Sequence, residues 1–271
     1  MVFLRNLIKY KMDKAMIKEE LLNNTIQWAR EAGDVLLGYF RGENLEIEAK
    51  FNDSDIVTVA DKASERVIIS HIKETYPDHG ILSEESGESP DNGAGYRWII
   101  DPLDGTTNFS SGLPSFAVSI GVEYNGEMVV GVVYAPYLDE LFCATKGGGA
   151  FLNGRTISPN QNNQLSKAVV ATGFPVDKDR TADNNLDNVG RVLPKVRGMR
   201  RLGAAAIDLC YVAAGFLDGY WELNLHAWDV AAGELIVTEA GGRYEQFRQD
   251  RNVSVVAASQ GVFDALRQLI K

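Results

Sequence analysis

One stretch constrains this chain more than any other: Trp98-Ile99-Ile100, followed at once by Asp101-Pro102-Leu103-Asp104-Gly105-Thr106-Thr107-Asn108. The apolar residues read as the end of a buried strand, and the glycine with two threonines as the opening of a helix. Two carboxylates therefore stand where open α/β sheets gather their ligand sites. Free N–H groups and the positive end of a helix favour an anion at such a point. Carboxylates beside an anion cradle suit a metal-dependent phosphate enzyme, because Mg²⁺ takes oxygen ligands and bridges carboxylates to phosphate. The same residues also fit a plain strand-to-helix turn with Asp104 as N-cap.

The rest of the chain supplies elements to surround that junction. Leu21, Leu22, Ile26, Ala29, Ala32, Val35, Leu36 and Phe40 recur at helical spacing and predict a helix over 18–40, with Gly42 past its end. A second helix is expected over 62–76, with Asp61 at its start and Pro77 beyond it. Ile81-Leu82-Ser83 reads as a strand ending in Glu84-Glu85, and residues 86–95 read as a loop. Runs at 116–124, 128–134 and 140–144 are β-like, and Asn125-Gly126 between the first two is a hairpin signal. Further strands are expected at 169–172, 219–222 and 253–258. Further helices are expected at 181–195, 204–214, 230–240 and 262–270. Mixed strands and helices with central hairpins imply α/β layers and mixed sheets. Two sheet-containing halves, 16–150 and 151–271, are expected to form one catalytic unit.

Composition narrows the function. Of the 271 residues, 45% are hydrophobic, enough for a large core, and the formal net charge is −10. That charge disfavours nucleic-acid binding as the main activity, which usually shows a basic footprint. It leaves anionic substrates open, since bound cations invert local charge. Cys143 and Cys210 lie among apolar residues and read as buried thiols, and His71, His79 and His226 lack zinc-ligand spacing. No apolar run is long enough for a bilayer span. Residues 1–15 are basic and half apolar, without the pattern of a signal peptide, and read as a frayed extension. Cytoplasm is the expected compartment.

Glu84, Asp101, Asp104 and Asp229 share one pattern: each closes a strand or opens a helix. Brought together, they would repel one another unless cations lay between them. Two ions roughly 4 Å apart could clamp an in-line displacement at phosphorus. Taken singly, Glu84 also reads as a loop acid, and Asp229 as an N-cap. Thr106 offers a hydroxyl to orient water, and Asp61 either accepts that hydroxyl's proton or caps its own helix. Gly203-Ala204-Ala205 opens a helix whose amides could meet a substrate's polar edge, and Glu222, at a strand end, could accept hydroxyl hydrogen bonds. His226 reads as a packing residue, Trp228 as core, and Arg200-Arg201 as a solvated basic pair.

Several motifs in order resemble one family. Residues 98–109 resemble the first signature of the inositol monophosphatase family, and 228–233, continuing to Glu239–Gly242, resemble the second. Glu84-Glu85-Ser86 and the segment from Asp55 to Asp61 resemble two more of its motifs. The likeness runs from about Met16 onward.

The resemblance implies a layered α/β/α/β/α sandwich of the sugar-phosphatase type and Mg²⁺-dependent hydrolysis of phosphomonoesters. It implies a first Mg²⁺ on Glu84, Asp101 and the Leu103 carbonyl, a second on Asp101, Asp104 and Asp229, and a third, loosely held, near Glu84. Thr106 paired with Asp61 would activate water together with Glu84, and the Gly105 and Thr106 amides would contact phosphate. Asp104, Ala205, Glu222 and Asp229 match positions that contact ring hydroxyls in inositol-specific members. Lithium sensitivity and a homodimer are further family implications. The segment 173–179 is of bacterial type and leaves the substrate open among myo-inositol 1-phosphate, fructose 1,6-bisphosphate, NADP and 3′-phosphoadenosine 5′-phosphate, with Glu222 favouring a polyol. A transcription- or RNA-associated binding role is the alternative of another class, one that the intact carboxylate set disfavours.

Overall fold

The apolar run Trp98–Ile100 lies inside a nine-residue strand, β5, and the chain is arranged around it. The computed structural model describes residues 2–42, 45, 47–49, 56–248 and 250–271, with side chains from Met16 onward. Asp55, part of one expected motif, lies outside the described residues. The first half runs α1 Val2–Tyr39, β1 Ile47–Ala49, β2 Ile56–Thr58, α2 Val59–Thr75, β3 Gly80–Ser83, β4 Gly87–Ser89, β5 Tyr96–Asp104 and α3 Thr106–Ser110. It continues through β6 Ala117–Tyr124, β7 Glu127–Ala135, β8 Glu140–Thr145, β9 Gly149–Leu152 and β10 Arg155–Thr156. The second half runs β11 Val169–Thr172, α4 Leu186–Val192, β12 Gly198–Arg200, α5 Ala205–Ala213, β13 Gly219–Leu225, α6 Ala227–Glu239, β14 Arg243–Arg248, β15 Val253–Ala258 and α7 Phe263–Arg267.

An eight-stranded sheet in the order β10-β9-β8-β7-β6-β5-β3-β4 and a five-stranded sheet in the order β12-β11-β13-β15-β14 carry the fold. Both are mixed, since β3–β5, β11–β12 and β11–β13 are parallel among antiparallel pairs. Helices α1 and α2 cover one face of the larger sheet, where Leu21, Trp28, Ile68 and Ile72 pack on Trp98, Ile100 and Val118. Helices α5 and α6 fill the space between the sheets, with Leu209 and Ile236 among Val133, Phe142, Tyr220 and Val255. The outer face of the smaller sheet packs under α4 and α7 through Val192, Phe263 and Leu266. This is the expected α/β/α/β/α layering. Strands β6 and β7 are buried on both faces, which explains their almost unbroken apolar sequence. Each large apolar side chain buried there contributes about 1.5–3 kcal/mol.

Helix α6 is pressed unusually close to the larger sheet. Gly121 and Gly131 face each other across β6 and β7. A Cβ on Gly131 would lie 2.7 Å from the Ala232 carbonyl oxygen, and one on Gly121 would lie 3.2 Å from the Ala231 Cβ. These two glycines bring the start of α6, and with it Asp229, towards β5.

Several boundaries differ from the expectations. The first helix begins at Val2, so the backbone of 2–15 continues α1 where a frayed extension was expected. The loop expected at 86–95 contains β4, which pairs with β3. The helix expected over 181–195 is α4 followed by a 3-10 turn at Leu193–Lys195, because Asn185 takes a left-handed conformation, φ 74°. The last helix shrinks to Phe263–Arg267. Strands β10, β12 and β14, each at a sheet edge, and the four-residue β9 beside β10 were not foreseen, since none carries a long alternating apolar pattern. Asn125-Gly126 does form the hairpin, with φ of 50° and 82°.

Candidate active site

Asp101 and Asp104 both lie within β5, whose pairing with β6 is irregular between them. That irregularity bends the strand end, and the Leu103 amide donates to Asp101 Oδ1 at 3.0 Å. Asp104 is not the N-cap of α3. The N-cap of the five-residue α3 is Gly105, at φ 89°, where an added Cβ would come 2.9 Å from the Ser115 carbonyl oxygen. Asp104 instead reaches the start of α5, accepting from the Ala205 amide at 3.2 Å and the Ala206 amide at 2.7 Å. In this structure the Ala205 N–H is thus engaged by Asp104.

Glu84 follows β3, and its amide donates to the Ile100 carbonyl at 3.2 Å. Asp229 is the third residue of α6 and accepts from the His226 amide at 2.6 Å; His226, not Asp229, is the N-cap. Burial pushes the Asp101 carboxyl well above the usual carboxylate range, and the charges of Glu84, Asp104 and Asp229 push it further. The Glu84 and Asp101 carboxyls also lie within hydrogen-bonding reach of each other. Burial first, then Glu84, likewise raises Asp229. Asp104 is pushed up to about 7 by burial, partly offset by the Ala206 amide. Four acids at the end of β3, in β5 and in α6, two buried and two half-buried, therefore repel one another, a state that needs protons or cations. Among the described residues no three such groups already close on a common metal centre. The donor set of hard oxygens nonetheless fits Mg²⁺.

Thr106 and Asp61 meet as expected, with the Thr106 hydroxyl 3.1 Å from Asp61 Oδ1 and 3.0 Å from the Leu103 carbonyl. Asp61 is the third residue of α2, and its Oδ2 accepts from the Thr58 amide at 2.8 Å and the Thr58 hydroxyl at 2.6 Å. The two readings of Asp61 are not exclusive: one oxygen completes a capping box and the other faces Thr106.

Glu222 sits inside β13, beside a pairing irregularity, and accepts from the Tyr220 hydroxyl at 2.6 Å. Burial raises its pKa, while Tyr220 and Arg201 lower it. The Gly173 backbone lies directly against the Glu222 carboxyl. Gly203, at φ 86°, precedes α5, and the Arg201 guanidinium lies over it. Trp228 is not core: it is partly exposed and stacks on His226 with centroids 4.7 Å apart, while Trp28, Trp98 and Trp221 are the buried tryptophans. Both cysteines are free and buried, as expected.

The fold agrees with that of known proteins. A family model described as the inositol monophosphatase family matches residues 17–269. The chain belongs to the inositol monophosphatase family. It is 46% identical over 223 residues to the Nus factor SuhB of Pasteurella multocida, covering 82% of this chain and 83% of the relative. It is 42% identical over 261 residues to the inositol-1-monophosphatase of Mesorhizobium japonicum, covering 94% of this chain and 98% of the relative. The crystal structure of the extragenic suppressor protein suhB of Bartonella henselae superposes with a TM-score of 0.87 at 39% identity, covering 93% and 98% of the two chains. Membership in the inositol monophosphatase family supports phosphatase activity, in a family generally dependent on Mg²⁺. No helix among the described residues is long and apolar enough to cross a membrane.

Three residues near this candidate site have roles that the motifs do not announce. Asn108 donates to the Ser115 and Leu202 carbonyls, each at 2.7 Å, and so ties α3 to the approach to α5. Asp208 is buried on α5, its pKa raised by burial and then by Glu222 and Asp104, and its Oδ1 has no partner among the described residues. Arg201 is exposed, as expected of a solvated basic pair, and its charge also acts on Glu222 and Asp208. Asn108 stood in the signature itself; the other two carried no local signal.

Proposed function

We propose that this protein hydrolyses a phosphomonoester with Mg²⁺, myo-inositol 1-phosphate being the favoured substrate. The observation that carries the reading is the convergence of the buried Asp101 and Asp104 with the half-buried Glu84 and Asp229, whose charges oppose one another. With the Leu103 carbonyl, they would hold Mg²⁺ and act as its ligands. Mg²⁺ bound there would supply positive charge to the phosphate and make water a better nucleophile.

The chain's own groups then have defined tasks. With the Leu103 carbonyl engaged as a ligand, Asp61 is the acceptor left for the Thr106 proton, so the Thr106 oxygen is free to accept from a water molecule. Glu84 would share in drawing off that water's proton. The Gly105 and Thr106 amides at the start of α3 would bind phosphate oxygens. Water would attack phosphorus as the ester P–O bond breaks, and the departing alcohol takes up a proton. Asp104, Ala205, Gly203, Glu222 and Asp229 would receive the alcohol portion, and Glu222 suits a hydroxyl-rich group as an acceptor. The halves 16–150 and 151–271 act in this reading as one unit, since ligands come from both.

The test is phosphate release from myo-inositol 1-phosphate, fructose 1,6-bisphosphate, NADP and 3′-phosphoadenosine 5′-phosphate, side by side with Mg²⁺ and with chelator. The highest kcat/KM is expected for the inositol ester, with no turnover in chelator. Full turnover in chelator would defeat the metal mechanism, and a preference for NADP or the phosphoadenosine would defeat the polyol reading. A second reading draws on the Nus-factor name of the Pasteurella relative: a transcription-associated binding role. An Asp101→Asn protein that still supplies the cellular function would favour it.

A further inference from the structure

Residues 173–185 join β11 to α4 without strand or helix until Asn185. At their start, Gly173 is packed so tightly that an added Cβ would come within 2.0–2.1 Å of the Glu222 carboxyl atoms. Its backbone is therefore the wall that limits where the Glu222 carboxylate can sit. An irregular segment of this length is costly to order, and it is tied down at two places.

The first tie is Asn185. Its amide donates to the Gly173 carbonyl at 2.6 Å and the Thr172 hydroxyl at 2.8 Å, while its Oδ1 accepts from Trp221 Nε1 at 2.8 Å and Asn188 Nδ2 at 3.0 Å. The second tie comes from the connection between β14 and β15. Arg251 Nη2 donates to both oxygens of Asp177, at 2.9 and 2.8 Å, and Nη1 donates to Asp183 Oδ2 and the Asp183 carbonyl, each at 3.2 Å. Arg248 Nη1 reinforces it on Asp183 Oδ1 at 2.9 Å. The Arg251 and Asp177 side chains are only 25% and 30% exposed, so this fork is better shielded than an open surface pair.

We propose that Arg251 is a positioning residue for substrate selectivity. By clamping Asp177 and Asp183, it holds Gly173 against Glu222 and fixes the carboxylate that receives the hydroxyls of a polyol phosphate. This rests on the polyol reading given above. The hydrogen bonds of Arg251 go to Asp177, Thr181 and Asp183 and not to Glu84, Asp101, Asp104 or Asp229, so its effect would be confined to the wall of the alcohol subsite.

The test compares kcat/KM for myo-inositol 1-phosphate with that for phenyl phosphate, an ester without hydroxyls to read, in full-length protein with Mg²⁺. Arg251→Met lowers the ratio roughly ten-fold, through KM for the inositol ester, with phenyl phosphate turnover maintained. Arg251→Lys restores part of the ratio, since an ammonium cannot reproduce the fork. Asp177→Asn, which weakens the same pair from the other side, shifts the ratio the same way. On a Glu222→Gln background, Arg251→Met changes the ratio no further, because both act through one carboxylate. If Glu222→Gln lowers the ratio while Arg251→Met and Asp177→Asn leave it unchanged, the clamp is overturned and the polyol reading stands. If Glu222→Gln also leaves it unchanged, the polyol reading falls and takes the clamp with it. Equal losses for both esters in both clamp variants would mean a general structural role and overturn the proposal.

Discussion

The two sides of the candidate site are built differently. On the side read as metal- and phosphate-binding, Asp101, Leu103, Asp104, Gly105 and Thr106 are contiguous, and Glu84 and Asp229 occupy the ends of regular elements. On the side read as alcohol-binding, Glu222 is walled by a glycine 49 residues earlier in sequence, in a segment held by Arg248 at the end of β14 and by Arg251 beyond it. The first side draws its order from strand and helix ends, the second from an irregular segment held by side-chain ties. Reactive groups must hold their geometry to fractions of an ångström, so regular elements suit them. Selectivity can reside in loops, which vary without disturbing the scaffold.

If that contrast is right, damage to the first side abolishes turnover and damage to the second changes preference. The largest effect is expected for Asp101→Asn. Loss of a ligand proposed to serve both ions should lower kcat/KM by more than the roughly 10–100-fold typical of outer-shell changes, for every ester alike. The same variant should raise Tm in metal-free protein, because a mutually repelling charge is gone, and should show less stabilisation by Mg²⁺. A change confined to one substrate would break the comparison.

Gly173→Ala comes next. Its methyl group must displace the Glu222 carboxyl, and overpacking of this kind costs typically ~1–3 kcal/mol. The expected result is a lower Tm and a raised KM for the inositol ester, with phenyl phosphate less affected. Equal loss for both esters would show that the two sides are not separable.

Asn108→Ala tests the link between them. It leaves the Ser115 and Leu202 carbonyls without this donor, which should cost about 1–3 kcal/mol in denaturant unfolding. Because Leu202 precedes Gly203 and α5, both substrates should lose turnover in step. The smallest effect concerns Asp183. Arg248 and then Arg251 hold its carboxyl below the usual aspartate range. A depressed folded-state pKa stabilises above the unfolded value and is lost as pH falls through the folded one. The Tm difference between wild type and Asp183→Asn should therefore be present at neutral pH and vanish in acid below the ordinary aspartate range. A difference that persists there would show that packing, rather than charge, ties the segment.

The carboxylates were legible before the fold because each stood beside a local signal: an apolar run ahead of Glu84 and Asp101, and a helical pattern after Asp229. Asp61 was legible as one of two roles, and only the structure showed both oxygens in use. Trp228 is not core, and Arg201, exposed as expected, also acts on Glu222 and Asp208. A tryptophan in an apolar context and an arginine beside another arginine have no local mark of what they will face. Trp228 lies next to the N-cap His226 and stacks there, half exposed.

Sequence alone determined the strand-to-helix junction, the hairpin at Asn125-Gly126, the layered α/β class and the identity of the acids. These depend on spacing and on the φ and ψ preferences of neighbouring residues. Tertiary structure alone decided that Asp104 takes the amides of α5, that Gly173 walls in Glu222, and that Arg251 reaches back to Asp177. Each of those joins residues about 50–100 positions apart in sequence, and contacts over such separations arise only when close packing of the layers brings the segments together.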